Sequence, residues 1–531
     1  MTSAEELADN LIHRVNVGDS LTRTALRYPT RTALVEEGRS VTYAEFDAAV
    51  NRLANRLDER GWSRGDALAL ASGNSIDFLT VYYACAKLGL VCVPVNLAWQ
   101  AGEVAYVLEH SRARGIVVEA QLVPVIEPAI AEVPALTEVV VAPGTGAEWQ
   151  ASAPPGWTAL ADYVAGASTA SPERFVADRD PLTYLYTSGT TAAPKGVVGN
   201  HTAIYLESMT MCLEARFQDT DRFVAMLPMF HTAQLNCFCT PAVMLGATLH
   251  IHRAFDAAAL LALIPAERIT HVFGLPVMYR AMLDHPAMPT TDLSSLRRCC
   301  YAMAPMPDAQ LDECLERFGC DFFLLFGQTE MSPTTTIFRP EHQQTHRGAV
   351  GTPVVNVQVA IMGDDGALLP VGESGEIVYR GPHALTGYLR NPEATAAAFD
   401  GGWFHSGDIG RFDDDGVLWF SDRSKDVIKT GGENVASMEV ERALYAAEPD
   451  IAEAVVVGLP HDRWSEAITA FVVPREGATL DEARVLAAVK ERLDGYKTPK
   501  AVVVVDALPR TSTGKIQKNV VRREHADLYR R

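Results

Sequence analysis

Tyr186-Thr187-Ser188-Gly189-Thr190-Thr191-Ala192-Ala193-Pro194-Lys195-Gly196-Val197 gathers hydroxyl side chains, glycine and a single lysine into one short run. It follows Leu182-Thr183-Tyr184-Leu185, whose β-branched, aromatic and aliphatic residues read as a strand, and it precedes a segment that reads as a helix from near His201. Hydroxyls and backbone N–H groups in a tight loop can cradle phosphate oxygens, and a lysine adds a mobile point charge. The Gly-Lys-Ser/Thr signature of a nucleotide P-loop is absent. A plain surface turn would use many of the same residue types, so the surrounding chain has to decide.

Upstream, residues 43–60 carry apolar side chains at helical spacing: Phe46, Val50, Leu53 and Leu57. Residues 67–70 and 91–95 read as short buried strands, with a helix over 78–88 between them. Strand–helix–strand alternation predicts an α/β architecture with parallel sheets. Residues 143–180 are rich in Pro, Gly, Ala and Ser and read as connection. Downstream, residues 350–425 change to short strands parted by Gly-Asp-Asp-Gly and Asp-Asp-Asp-Gly turns, which predicts a small β-rich unit. The pattern after Lys425 is helix (437–447), strand (453–458), strand (467–474), helix (480–493) and strand (501–506), an α+β unit of about a hundred residues.

The chain has 531 residues, 48% of them hydrophobic, room for about three domain-sized units. Its net charge of −20 argues against wrapping nucleic acid or lying on an anionic membrane. No apolar run reaches the roughly 18–20 residues of a membrane span. The first nine residues are polar and acidic, unlike a signal peptide. The nine cysteines show no metal spacing and are expected to be reduced in a cytoplasmic compartment.

Seven segments, in order, resemble the adenylate-forming superfamily of acyl-CoA synthetases, luciferases and peptide-synthetase adenylation domains. They are the loop above, Pro228-Met-Phe-His231, Phe326-Gly327-Gln328-Thr329-Glu330, Trp403-Phe-His-Ser-Gly-Asp408, Asp422-Arg423-Ser-Lys425-Asp-Val-Ile-Lys, Gly431-Gly432-Glu-Asn, and Pro509-Arg-Thr-Ser-Thr-Gly-Lys515-Ile. The resemblance implies a fold of two α/β subdomains plus a small β subdomain (about 350–422) within an N-terminal core of residues 1–422. A hinge at 423–426 and a mobile α+β C-terminal lid over 427–531 would follow. It also implies a reaction: an acid and ATP give an acyl-adenylate and pyrophosphate, and the acyl group passes to a thiol, usually that of coenzyme A.

By the same resemblance Lys515 reaches the carboxylate and the α-phosphate from the lid. Thr329 contacts the α-phosphate and Glu330 holds Mg²⁺, a hard cation that prefers oxygen ligands. Thr187, Ser188, Gly189, Thr190, Thr191 and Lys195 surround the phosphates. Met303, Ala304, Pro305, Phe326, Gly327 and Gln328 bind the nucleotide. Asp408 accepts the ribose hydroxyls beside Arg423, because an ionised carboxylate can accept two O–H bonds at once. Lys425 is the hinge residue, His231 a gate at the mouth of the acyl pocket, and Gly431 and Gly432 line the pantetheine tunnel once the lid turns.

Three positions depart from the family pattern. Ala192 stands where glycine is usual in the phosphate loop, and Ala302 replaces glycine on the expected pocket floor, with Met303 beside it. Gln234, with Asn236 nearby, occupies a place that is glycine in many relatives. These changes predict a narrowed pocket holding a small or medium, compact or polar acid. In the stretch after His231 and in Arg463-Trp-Ser-Glu466-Ala-Ile the chain looks similar to crotonobetaine/carnitine–CoA ligases. Nitrite as the adenylated anion and a carrier-protein thiol as acceptor stay open as alternatives, as does a homodimer.

Overall fold

The computed structural model describes residues 3–144, 154–187, 194–304, 306–511 and 514–530. Among these the strands form four sheets. One sheet carries Ala67–Ala71, Val91–Pro94, Ala113–Glu119, Glu138–Ala142 and Pro181–Thr187 in parallel, with Lys195–Asn200 antiparallel at its edge. A second places Thr32–Glu36, Thr248–Ile251, Arg222–Ala225, His271–Gly274, Arg298–Ala302 and Asp321–Gly327 in parallel. The two pack around a shared apolar core. Helix Ile76–Leu88 runs through that core with every residue buried, which explains why it lacks a polar stripe. Ser75 caps its N-terminus through Phe78 N at 2.9 Å, and Gly89 at φ +68° ends it.

The β-rich unit is the four-stranded antiparallel sheet Gln358–Met362, Gly375–Arg380, Phe404–Phe412 and Leu418–Arg423. The C-terminal unit has its own core and its own sheet, built on the long hairpin Ile451–His461 and Ser465–Pro474, with Ala501–Val504 parallel to the latter. The whole is therefore the α/β protein that the alternation predicts, with a β subdomain and a small α+β unit. Between Leu418–Arg423 and Ile428–Thr430 the chain turns tightly, with Asp426 N and Val427 N donating to the Arg423 carbonyl at 2.8 and 3.1 Å.

One local expectation is corrected. A strand, Lys195–Asn200, intervenes between the hydroxyl-rich loop and helix His201–Glu214. It pairs back on Pro181–Thr187, so that Thr187 lies opposite Lys195. Ser188, Gly189, Thr190, Thr191, Ala192 and Ala193, between these two paired strands in the sequence, lie outside the described residues.

Candidate active site

A cavity of about 540 Å³ opens where three strands end: Thr187, Ala302 and Gly327 close Pro181–Thr187, Arg298–Ala302 and Asp321–Gly327, and all three line it. This is the side of a parallel sheet on which ligands collect, beyond the carboxyl ends of its strands. Gly327 has φ +153°, and a Cβ there would sit 2.0 Å from the Pro333 carbonyl oxygen, so only glycine fits. Gln328, Thr329 and Glu330 follow on the rim, and Phe326 packs its ring 5.4 Å from that of Phe420. Met303 and Ala304 line the opposite side; Met303 holds φ +69°, a left-handed conformation uncommon for a side-chain-bearing residue and often found at ligand sites. Pro305 lies outside the described residues.

Asp408 and Arg423 are cross-strand partners, with Arg423 Nε 3.1 Å from Asp408 Oδ1. The Asp408 side chain is buried, which raises its pKa, while Arg423 and Lys515 pull it back down. Its Oδ1 faces Arg423 without completing a well-aligned hydrogen bond in spite of that burial. An ionised carboxylate has acceptor capacity beyond one such partner, and the hydroxyls of a ribose would fill it.

The lid delivers Lys515 into the same cavity. A tight turn holds it: Thr511 N donates to the Lys515 carbonyl at 2.8 Å, and Lys515 N donates to Thr511 Oγ1 at 3.1 Å. The residue is open to solvent through the cleft, yet protein surrounds the ammonium at longer range. That desolvation lowers its pKa to about 8; Arg423 and Lys425 push the same way, and Asp408 and Asp426 oppose them. Lys425 is exposed in the turn between core and lid, and its pKa is also lowered, first by desolvation and then by Arg423. Behind Glu330, Tyr388 donates its hydroxyl to Glu330 Oε1 at 3.0 Å, and Lys195 Nζ stands 4.9 Å over the same ring; neither Tyr388 nor Lys195 itself borders the cavity. Glu330 Oε2 makes no hydrogen bond among the described residues. Among the described residues no group of three His, Cys, Asp or Glu side chains is placed to hold a metal ion. One carboxylate with a spare oxygen fits Mg²⁺, which is commonly held by one or two carboxylates together with phosphate oxygens and water.

His231 also lines the cavity and caps the short helix Thr232–Gln234, its Nδ1 accepting from Ala233 N at 3.3 Å. Burial and then the charge of Lys515 lower its pKa to about 4, so the ring is neutral near pH 7 with its proton on Nε2. The expectation for Gln234 and Asn236 is overturned: neither borders the cavity. Gln234 is buried, with Oε1 accepting from Leu227 N at 3.2 Å, and Asn236 Nδ2 donates to Thr232 Oγ1 at 2.8 Å. The next segment, Leu235–Cys239, is a π-helix; Cys237 from that widened turn lines the cavity, beside Ala233 from Thr232–Gln234. Gly431 and Gly432 form an exposed turn of the lid away from the cavity, at φ +60° and +92°.

Other lining residues escaped the sequence reading. Arg442 and Lys518 come from the lid, and Arg442 also donates to the Gly348 carbonyl of the core at 2.8 Å. Tyr388 is not recognisable from its neighbours because its two partners lie far off in sequence.

Residues 21–389 match the family described as AMP-binding enzyme, and residues 439–515 match the AMP-binding enzyme C-terminal domain. The chain is 36% identical over 501 residues to a feruloyl-CoA synthase of an Amycolatopsis species, covering 94% of this chain and 97% of that one. Among solved structures it resembles ATP-bound MatB from Rhodopseudomonas palustris, with TM-score 0.88, 31% identity and coverage of 98% and 100%. It also resembles the anthranilate CoA ligase AuaEII in complex with anthranoyl-AMP, with TM-score 0.88, 27% identity and coverage of 96% and 97%. The chain belongs to the AMP-binding, adenylate-forming enzyme family. It is an ATP-dependent, AMP-forming acid–CoA ligase that works through an acyl-adenylate and uses ATP, Mg²⁺ and coenzyme A with a small-molecule acid.

Proposed function

We propose that the acid is a compact aromatic carboxylic acid and that the cavity residues divide the first half-reaction as follows. A carboxylate oxygen attacks the α-phosphorus of ATP, the bond to pyrophosphate breaks, and negative charge builds on the phosphoryl oxygens. Lys515 neutralises the two approaching anions, since positioned cations are a large source of rate in such displacements. Thr329 donates to the α-phosphate, and Glu330, braced by Tyr388, holds Mg²⁺, which supplies charge neutralisation on the phosphates. Lys195 stands by the outer phosphates. Asp408 accepts the ribose hydroxyls, with Arg423 keeping it ionised. The adenine lies against Ala302, Met303 and Ala304. His231, neutral and with its Nδ1 occupied, offers Nε2–H at the carboxylate.

In the second half-reaction the thiol of coenzyme A attacks the acyl carbon and AMP leaves. We assign that step to a rotated lid, hinged at Lys425, that brings Gly431 and Gly432 beside the pantetheine arm. The aromatic acid is supported by the ring-bearing lining, Phe230, Phe273 and Tyr186, and by the feruloyl-CoA synthase among the relatives.

The observation that carries this reading is the meeting of Lys515 from the lid with Asp408, Arg423 and Glu330 from the core in one cavity. Among the described residues no helix is long and apolar enough to cross a membrane. We place the enzyme in the cytoplasm, where nine unpaired thiols would stay reduced. A homodimer and a carrier-protein acceptor belong to the same proposal as testable variants of it. Pyrophosphate release across aromatic acids, aliphatic acids and nitrite, with coenzyme A, with a carrier protein and without either, tests the whole. Release with nitrite but with no acid would overturn it.

A further inference from the structure

The inner part of the cavity is bordered by Cys237 and Thr334. Behind them Glu207, on helix His201–Glu214, is fully buried. Its Oε1 accepts from Thr334 Oγ1 at 2.6 Å and from Cys237 Sγ at 3.2 Å. Thr334 has two weaker alternatives, the Met211 sulfur at 3.8 Å and Cys237 Sγ at 3.4 Å, where either atom can donate, so the carboxyl at 2.6 Å is its best acceptor. In every such arrangement both hydrogens at this end of the cavity are spent within the Glu207–Thr334–Cys237 cluster. Only lone pairs remain to meet a ligand.

The carboxyl is itself fixed from behind. Oε2 lies 3.3 Å from Nδ1 of buried His383, whose Nε2 is 3.2 Å from Thr210 Oγ1. Neither Oε2 nor His383 Nδ1 completes a hydrogen bond. Burial raises the Glu207 pKa to about 8 and lowers that of His383 to about 4, so both are neutral near pH 7 and the carboxyl proton faces His383. In that form Oε1 stays an acceptor and the orientation of Thr334 and Cys237 is unchanged.

Resting on the ligase reading above, we propose that Thr334 and Cys237, oriented by Glu207, form a hydrogen-bond acceptor subsite. It selects acids that carry an O–H or N–H donor far from the carboxylate. With Phe273 alongside, a phenol is the best fit. Cys237 lies six residues beyond His231 along a helical run that widens into the π-helix Leu235–Cys239, a rise of at most about 9 Å, the limit for α-helical spacing throughout. That distance suits a ring joined to its carboxylate by a two-carbon bridge. Glu207 is a positioning residue; it does not border the cavity itself.

The test compares 4-hydroxycinnamate, cinnamate and 4-methoxycinnamate as substrates and, by calorimetry, as ligands. The wild-type enzyme should prefer 4-hydroxycinnamate over the other two by roughly 100-fold or more in kcat/KM, because a site built for a hydroxyl rejects analogues that lack it. Thr334→Val should bring that ratio to within about threefold of unity. Glu207→Leu should do the same, while Glu207→Gln, which keeps an acceptor oxygen, should hold the preference. Wild-type ranking needs no variant, so a misfolded variant does not leave the question open. Equal turnover of the three acids overturns the subsite and leaves the ligase reading standing. Preferential binding of 4-hydroxycinnamate without pyrophosphate release supports the subsite and removes the assigned reaction.

Discussion

Raising the pH from 7 to 9 should remove the charge of Lys515. With a pKa of about 8, Lys515 is about 91% charged at pH 7 and about 9% charged at pH 9. Lowering the pKa of an amine favours its neutral form, so the ammonium is present below about 8 and lost above it. If only the ammonium supports attack on the α-phosphorus, kcat/KM for ATP in pyrophosphate release should fall about tenfold across that interval. The constant kcat should fall less or later, because the triphosphate of bound ATP stabilises the ammonium. Lys515→Arg isolates the cause. A guanidinium stays charged throughout, so this slower variant should show no limb near pH 8. Lys515→Ala should lose on the order of 10²–10³ in adenylate formation and keep most of its thioester formation from supplied acyl-adenylate. An unchanged limb in Lys515→Arg, or a wild-type profile flat to pH 9.5, would refute the reasoning.

Lys425→Pro fixes φ in the turn between core and lid; acyl-adenylate should accumulate while thioester formation collapses, and normal overall turnover would exclude a moving lid. Ala302→Gly removes a methyl from the cavity lining and should shift preference toward larger acids by roughly tenfold, since one methyl in a tight pocket is worth about 1–3 kcal/mol. Gln234→Gly should leave that ranking unchanged and instead lower the melting temperature, because Leu227 N loses its buried acceptor. Glu207 has a folded pKa raised from 4.5 to about 8, so its contribution to stability is complete below about pH 4.5 and declines as pH rises toward 8. Between pH 6.5 and 8, where His383 is neutral in the fold and its unfolded-state titration is common to both proteins, wild type should lose stability relative to Glu207→Gln by up to about 1.4 kcal/mol per pH unit; parallel melting curves for the two would contradict the buried neutral carboxyl.

What could be read from the sequence was whatever chemistry the chain writes contiguously. Phe326-Gly327-Gln328-Thr329-Glu330 leaves a strand end in single file, and the geometry of Gly327 shows why that glycine belongs there. The strand Lys195–Asn200 escaped notice because Gly196 and Gly199 dilute its β-branched pair; pairing with Pro181–Thr187 supplies what local preference does not. Gln234 and Asn236 failed for a different reason. Gln234 turns inward to accept from Leu227 N, a partner the local sequence does not reveal, and beyond it the π-turn at Leu235–Cys239 changes the angle per residue, so Cys237 rather than Asn236 lines the cavity. Glu207 looked like any acid on a mixed helix, since its defining partner, Thr334, is 127 residues away.

The same charges link the nucleotide to the lid. Lys515 sits where Arg423 and Lys425 also press on it, and its lowered pKa reflects how poorly that cation is accommodated without an anion nearby. Asp408 and Asp426 offset part of that cost, but the Asp408 carboxylate is itself buried and already shared with Arg423. A triphosphate with its ribose answers both at once: its oxygens neutralise the cations and its hydroxyls satisfy the carboxylate. Once pyrophosphate has left, fewer anionic oxygens remain among three cations, while the ribose still occupies Asp408. The electrostatic reason for Lys515 to stay weakens at that moment, and the reason for AMP to stay does not. The two-step mechanism proposed above, in which the C-terminal unit turns away from a retained acyl-adenylate, needs that asymmetry, and Lys425 and Lys515 lying within each other's field would supply it.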